Sequence, residues 1–114
     1  MSEADRTRVR RDFLGSVNMS AAELEQWLAT SESRKVGWKG TKGDRPESVG
    51  HASGRLIVRI LRKEEAELSD DDLLHMRKVV GFIRRHLAQQ PANIYTSRWR
   101  YSLMNWGHDP LKGE

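Results

Sequence analysis

The chain contains no cysteine, which excludes disulfides, zinc–thiolate centres and cysteine nucleophiles and agrees with a reducing compartment. It has no apolar run near the roughly 18–20 residues needed to span a bilayer. Its opening residues, MSEADRTRVRRD, show no signal-peptide pattern. A cytoplasmic location is expected, nucleoid-associated if the protein binds DNA. Metal signatures are missing as well. None of His51, His75, His86 and His108 stands four residues from another, and no H-E-x-x-H occurs. The acidic run at 64–72 lacks the D-x-D-x-D-G pattern of a calcium loop. No metal, cofactor or catalytic residue is expected. No stretch alternates apolar and polar residues in the manner of a half-buried strand, so no sheet is expected either.

What the chain has in quantity is charge, and the charge is segregated. The formal net charge is +4, with 32% of residues charged. Residues 34–63 hold nine Lys/Arg against Asp44 and Glu47; residues 64–72 hold six acids and no base; residues 73–100 hold six bases and no acid. Blocks of this kind imply separate basic and acidic faces, and a basic face is the footprint of a polyanion partner. The competing reading is an ordinary solvated surface.

The apolar residues fall at helical spacing in five segments. Val9, Phe13 and Leu14 predict a helix over 3–16. Ser20-Ala-Ala-Glu23 is a capping box, followed by Leu24, Trp27 and Leu28 and a helix to about Ser31. Residues 33–47, SRKVGWKGTKGDRPE, carry Gly37, Gly40 and Gly43 at every third position and then Pro46, which predicts a loop. Ser48 caps a third helix with Val49, Leu56, Ile57, Ile60 and Leu61 on one side and Arg55, Arg59 and Arg62 on the other. Ser69 and the three aspartates after it open the longest helix. Leu73, Met76, Val80, Ile83 and Leu87 are its stripe, Arg77, Lys78, Gly81, Arg84 and Arg85 its far side, and Pro91 its stop. Trp99, Leu103 and Trp106 predict a last helix near 97–106, with Arg98, Ser102 and Asn105 opposite; at that length it must dock to exist. Gly107 caps it and Pro110 prevents continuation.

The expected fold is therefore all-α, a small single-domain bundle of four to five helices, with the helices of 48–64 and 70–89 as a central antiparallel pair. Residues 1–17 read as a helical extension, 18–110 as the helical domain and 111–114 as a tail.

Several motifs invite chemistry. His108-Asp109 resembles a base with its orienting carboxylate, but adjacent residues rarely face each other, and Asp before Pro110 equally makes a turn. The loop GWKGTKG, 37–43, has the parts of a phosphate cradle or a base-stacking site. It reads equally as a solvated connection in which Trp38 tucks onto the bundle. Gly81 costs about 1 kcal/mol against Ala in a helix, so either a backbone or a ligand phosphate packs closely there.

Three blocks carry a resemblance: NMSAAELEQWLATSES at 18–33, ESVGHASGRLIVRIL at 47–61, and HMRKVVGFIRRHLAQ together with the closing SRWRYSLMNWGHDP. Over roughly residues 18–110 they resemble a small bacterial and fungal family built on a domain of unknown function, some members of which carry the label DNA-binding. With the charge pattern, that resemblance implies a non-enzymatic protein that binds duplex DNA through backbone phosphates. Arg55, Arg59, Arg62, Lys63, Arg77, Lys78, Arg84 and Arg85 are the expected contacts, Lys39, Lys42 and Trp38 an accessory, and Arg98 and Arg100 further candidates. The alternative is a protein-interaction module, meeting an acidic partner or forming a homodimer through the Trp-rich block. An enzyme would require His51, His86, His108 and Asp109 to converge.

Overall fold

Every α-helix among the described residues starts on a hydroxyl that accepts the backbone N–H three residues on. In the computed structural model, which describes residues 1–95 and 97–112, Ser2 caps α1 (Glu3–Ser16), Ser20 caps α2 (Ala21–Leu28) and Thr30 caps α3 (Ser31–Lys35). Ser48 caps α4 (Val49–Leu61), Ser69 caps α5 (Asp70–Leu87) and Ser97 caps α6 (Arg98–Asn105). Each such cap contributes about 1 kcal/mol relative to Ala. At Ser20 and Ser69 the box is completed by Glu23 and Asp72, whose carboxylates accept from the cap N–H. One short 3-10 turn, Glu65–Glu67, joins α4 to α5. The described residues contain no strand, and the protein is a small all-α bundle.

One helix was not expected. Residues from 33 onward read as loop, yet α3 runs over Ser31–Lys35. Its reason is tertiary: Ser33 is fully buried and its hydroxyl donates to Asn105 Oδ1 at 2.5 Å. The pairing of helices differs too. α1 lies along α5 and α2 lies along α4, while α4 and α5 meet less extensively than either pair. The expected central pair is thus two pairs, and α6 crosses between them, touching α2, α3, α4 and α5. α1 is consequently part of the body and not an appendage: Val9 and Phe13 are buried in the same core as Leu24, Ile57, Met76, Ile83 and Leu103.

α6 docks as its spacing demands, with Trp99, Leu103 and Trp106 all buried. Asn105, expected on its open side, is only 1% exposed. Its Oδ1 accepts from Trp27 Nε1 at 2.7 Å and from Ser33, and its Nδ2 donates to the Ser33 carbonyl at 3.0 Å. Gly54 makes room for it, since a Cβ there would stand 2.6 Å from the Asn105 carbonyl oxygen. Gly107, at φ +86°, ends α6, and its carbonyl accepts from the N–H groups of Asn18 and Met19. None of the helices is long and apolar enough to cross a membrane, among the residues described.

Candidate nucleic-acid interface

The basic residues fall into three environments, because helical rotation sends neighbours in sequence to different flanks. The α4 stripe lies against acids from other elements. Arg55 grips Glu47 with two bonds, Nε–Oε2 at 2.8 Å and Nη2–Oε1 at 2.5 Å, and Arg62 reaches Glu25 of α2 at 3.1 Å and 3.3 Å. Lys63 meets Asp72 at 2.7 Å. The Arg55 guanidinium, with a further bond from His51, holds the Glu47 carboxyl down to about 2 against the opposing effect of its partial burial. Arg59 is exposed and has no ion-pair partner among the described residues. Two of the three arginines of the expected stripe are therefore paired. The signal that could have shown it, Glu47 eight residues before Arg55, does not itself reveal a side-chain pairing across a helix start.

The α5 stripe is divided lengthwise. Arg77 and Arg84 face α1 across a cavity of about 290 Å³ shared with Asp5, Arg8 and Asp12, and Arg84 stands 3.9 Å from Asp12. A hydrogen bond from Ser2, then the charges of Arg8 and Arg77, lower the Asp5 carboxyl from its ordinary value. Lys78 and Arg85 face the other way, into a groove of about 240 Å³ walled by Trp38, Val49, Phe82 and Trp106. Neither has an ion-pair partner among the described residues, and no carboxylate lines the groove. Gly81 is explained by neither a backbone nor a ligand: Arg85 folds back over it, its Nη1 lying 3.0 Å from where a Cβ would be.

The 37–47 loop connects the environments. Its Trp38 and Gly37 line the Lys78/Arg85 groove, while Lys39, Pro46 and Glu47 line a second cavity of about 400 Å³ with Arg34, His51 and Arg55. Trp38 does not tuck onto the bundle but is 62% exposed. Lys42, also exposed, is carried at the loop tip between Gly40 and Gly43, both at positive φ. Arg98 and Arg100 are anchored differently. Arg98 donates to the Lys35 carbonyl at 3.3 Å and stays exposed, whereas Arg100 makes two 3.2 Å bonds to Asp109 and one of 2.6 Å to the Tyr95 carbonyl. Arg100 thus holds the C-terminal turn.

The histidines do not converge. His51 binds Glu47 through Nδ1 and faces the Leu28 carbonyl with Nε2 at 2.8 Å, tying α4 to the end of α2. His108 donates from Nδ1 to the Ser16 carbonyl at 2.7 Å, at the end of α1. The Asp109 carboxylate turns to Arg100 and away from its neighbour. Burial opposes its ionisation, but Arg100 and the Leu111 N–H together keep its carboxyl below the ordinary value. His86 belongs to a stack that sequence reading missed: His75, Trp106, Phe82, His86 and Trp99 lie ring on ring, at centroid separations of 6.3, 4.3, 4.9 and 6.4 Å, with interplanar angles between 14° and 21°. Burial lowers both His75 and His86 from the ordinary value, assisted at His75 by the Lys78 charge, and His86 Nε2 is buried without a hydrogen-bond partner among the described residues. The signal was present: His75 and Phe82 on one helix, and Trp99 and Trp106 on the other, share a seven-residue spacing. Among the described residues no group of three or more His, Asp or Glu could hold a metal ion.

No curated protein and no solved structure matches the chain. A family model described as "Protein of unknown function (DUF3140)" matches residues 12–104, a span that begins within α1 and takes in the loop, both halves of the α5 stripe and all of the ring stack but Trp106; the chain belongs to that family.

Proposed function

We propose that the protein is a non-enzymatic nucleic-acid-binding protein, holding duplex DNA through backbone phosphates with the face built around the 37–47 loop. The observation that supports this reading is the placement, on and beside one loop, of cations with no ion-pair partner among the described residues: Lys78 and Arg85 on the α5 side, Arg34 and Lys39 on the α4 side, and Lys42 at the loop tip. Arg55 lines the α4 side as well, but its two bonds to Glu47 leave it less available to a phosphate than these. Arg62, Lys63, Arg77 and Arg84 stand beside carboxylates and serve as the outer field, while Arg100 is structural. Each phosphate neutralised releases counterions, so affinity falls with salt at a slope of about −0.9 per contact.

The test is titration of a fluorescent random-sequence duplex at low and at physiological salt. Tight binding at low salt that weakens steeply is expected, with at least about a tenfold loss on replacing Lys39, Lys42, Arg55, Lys78 and Arg85 together by Ala. Equal affinity of that variant and the wild type sinks the reading. Concentration-dependent mass without salt-sensitive nucleic-acid binding supports a protein partner instead.

A further inference from the structure

We propose that the groove between Trp38 and α5 is a pocket for one unpaired nucleobase, with the phosphates on either side of that base held by Lys78 and Arg85. The protein's preferred ligand is then nucleic acid with a single-stranded stretch. This rests on the phosphate-binding reading above, and to the duplex binding stated there it adds a preference for strands with an unpaired base.

The size fits. About 240 Å³ lies below the roughly 300–1,000 Å³ of sites for whole small molecules, leaving room for a planar ring system and little more. The walls fit as well. Trp106 is stacked with His75 and Phe82, and Phe82 with Trp106 and His86, and both Trp106 and Phe82 line the groove. Aromatic walls suit the ring of a base. Trp38 is the opposite case, stacked on no other ring among the described residues and mostly in water. It offers a whole face for stacking, worth about 1–3 kcal/mol per base and indifferent to base identity.

Trp38 is exposed without its backbone being loose. Gly37, at φ +99°, passes so close to α4 that a Cβ would sit 2.8 Å from Ser48 Oγ. The Trp38 carbonyl accepts the Val49 N–H at 2.9 Å. The indole is therefore mounted on a pinned backbone at the mouth of the groove, which a solvated connection does not need. The floor also holds a donor. The indole N–H groups of Trp27 and Trp99 are satisfied by Asn105 and the His86 carbonyl, whereas that of Trp106, packed against Gly50, meets no acceptor among the described residues.

Charge settles the occupant. Lys78 and Arg85 lie two turns apart on one flank of α5, roughly 10 Å along its axis, with Phe82 between them. A ring entering over Phe82 has a cation on each side for its 5′ and 3′ phosphates. An aromatic side chain of a peptide would fill the same volume but supply no anion to either cation.

The experiment compares a labelled oligothymidylate with a hairpin duplex of equal charge, using the full chain at one salt concentration and following anisotropy and tryptophan emission. The wild type is expected to bind the single strand at least about fivefold tighter and to lose indole emission on saturation. Trp38→Ala is expected to weaken single-strand binding about tenfold while changing duplex affinity less than about twofold, and Trp38→Phe to retain most of the single-strand affinity. Because Trp38 is exposed, its replacement leaves the fold intact, which a circular dichroism melt verifies. If Trp38→Ala weakens both ligands alike, or neither, the pocket is overturned while the phosphate-binding reading stands. If the wild type shows no salt-sensitive binding to either ligand, both fall.

Discussion

Arg77 and Lys78 are neighbours on one helix, as are Arg84 and Arg85, yet each pair is divided between two surfaces. On the α1 flank, Arg77 and Arg84 face Asp5 and Asp12 in a groove of mixed sign. On the α6 flank, Lys78 and Arg85 face aromatic rings and no carboxylate. The same cation therefore has a different use according to which way a rotation of about 100° per residue sends it. A count of charge along the sequence cannot tell the two apart. Only the acids brought by α1, and the loop brought over α4, make one flank self-compensated and the other open to an external anion.

The sharpest way to break this comparison is to remove the foundation of the α6 flank. Trp99→Ala should destabilise the protein by about 3–5 kcal/mol in urea unfolding, because α6, with eight residues, holds only by docking. A loss below about 1 kcal/mol would show that the ring stack does not support this side. Next in size are two glycines, one for each flank. Gly50→Ala puts a Cβ 2.9 Å from Trp106 Nε1, in a ring that is packed on both faces, and should cost about 1–3 kcal/mol. Gly81→Ala meets only the mobile end of Arg85, so the helix should gain up to about 1 kcal/mol. The two melts should shift in opposite directions.

Binding sharpens the comparison further. Replacing Lys78 and Arg85 by Ala should reduce the slope of log K against log salt by about two. Replacing Arg77 and Arg84, already beside carboxylates, should reduce it by less than about one. Equal changes would remove the distinction between the flanks.

The smallest effect is in pH. Burial lowers His75 and His86 below 6.5, so the unfolded chain takes up protons first as the pH falls. Stability on the α6 flank is fully present above that value and declines below it. On the α1 flank Asp5 is lowered from 3.8, so its contribution persists until the pH falls below that value. Urea midpoints should therefore start to drop in the neutral-to-mildly-acid range, and a His86→Phe variant should show a weaker drop there.

Much of the fold was legible because it is local. Ser20 with Glu23, Ser69 with the three aspartates after it, and Trp99 with Leu103 and Trp106 announce their helices from within a few residues. What was not legible depends on partners far along the chain. α3 exists because Ser33 reaches Asn105, and Asn105 is buried because Trp27 and Gly54 meet it. The candidate site was half visible: the loop and the α5 cations were named, but not that Lys78 and Arg85 share a groove with Trp38 while Arg77 and Arg84 do not. Glu25, Glu47 and Asp12, which decide how much of each basic stripe is compensated, lie 37, 8 and 72 residues from the cations they face.

The ring stack also has an optical consequence. Trp99 and Trp106 are buried and stacked with other rings, whereas Trp38 stands in solvent at the mouth of the groove. Indole emission therefore combines a blue component from Trp99 and Trp106, joined by the half-buried Trp27, that lasts as long as the fold, and a red component that belongs to the loop. Without a label attached, the molecule can report occupancy of its groove and loss of its structure at separate wavelengths.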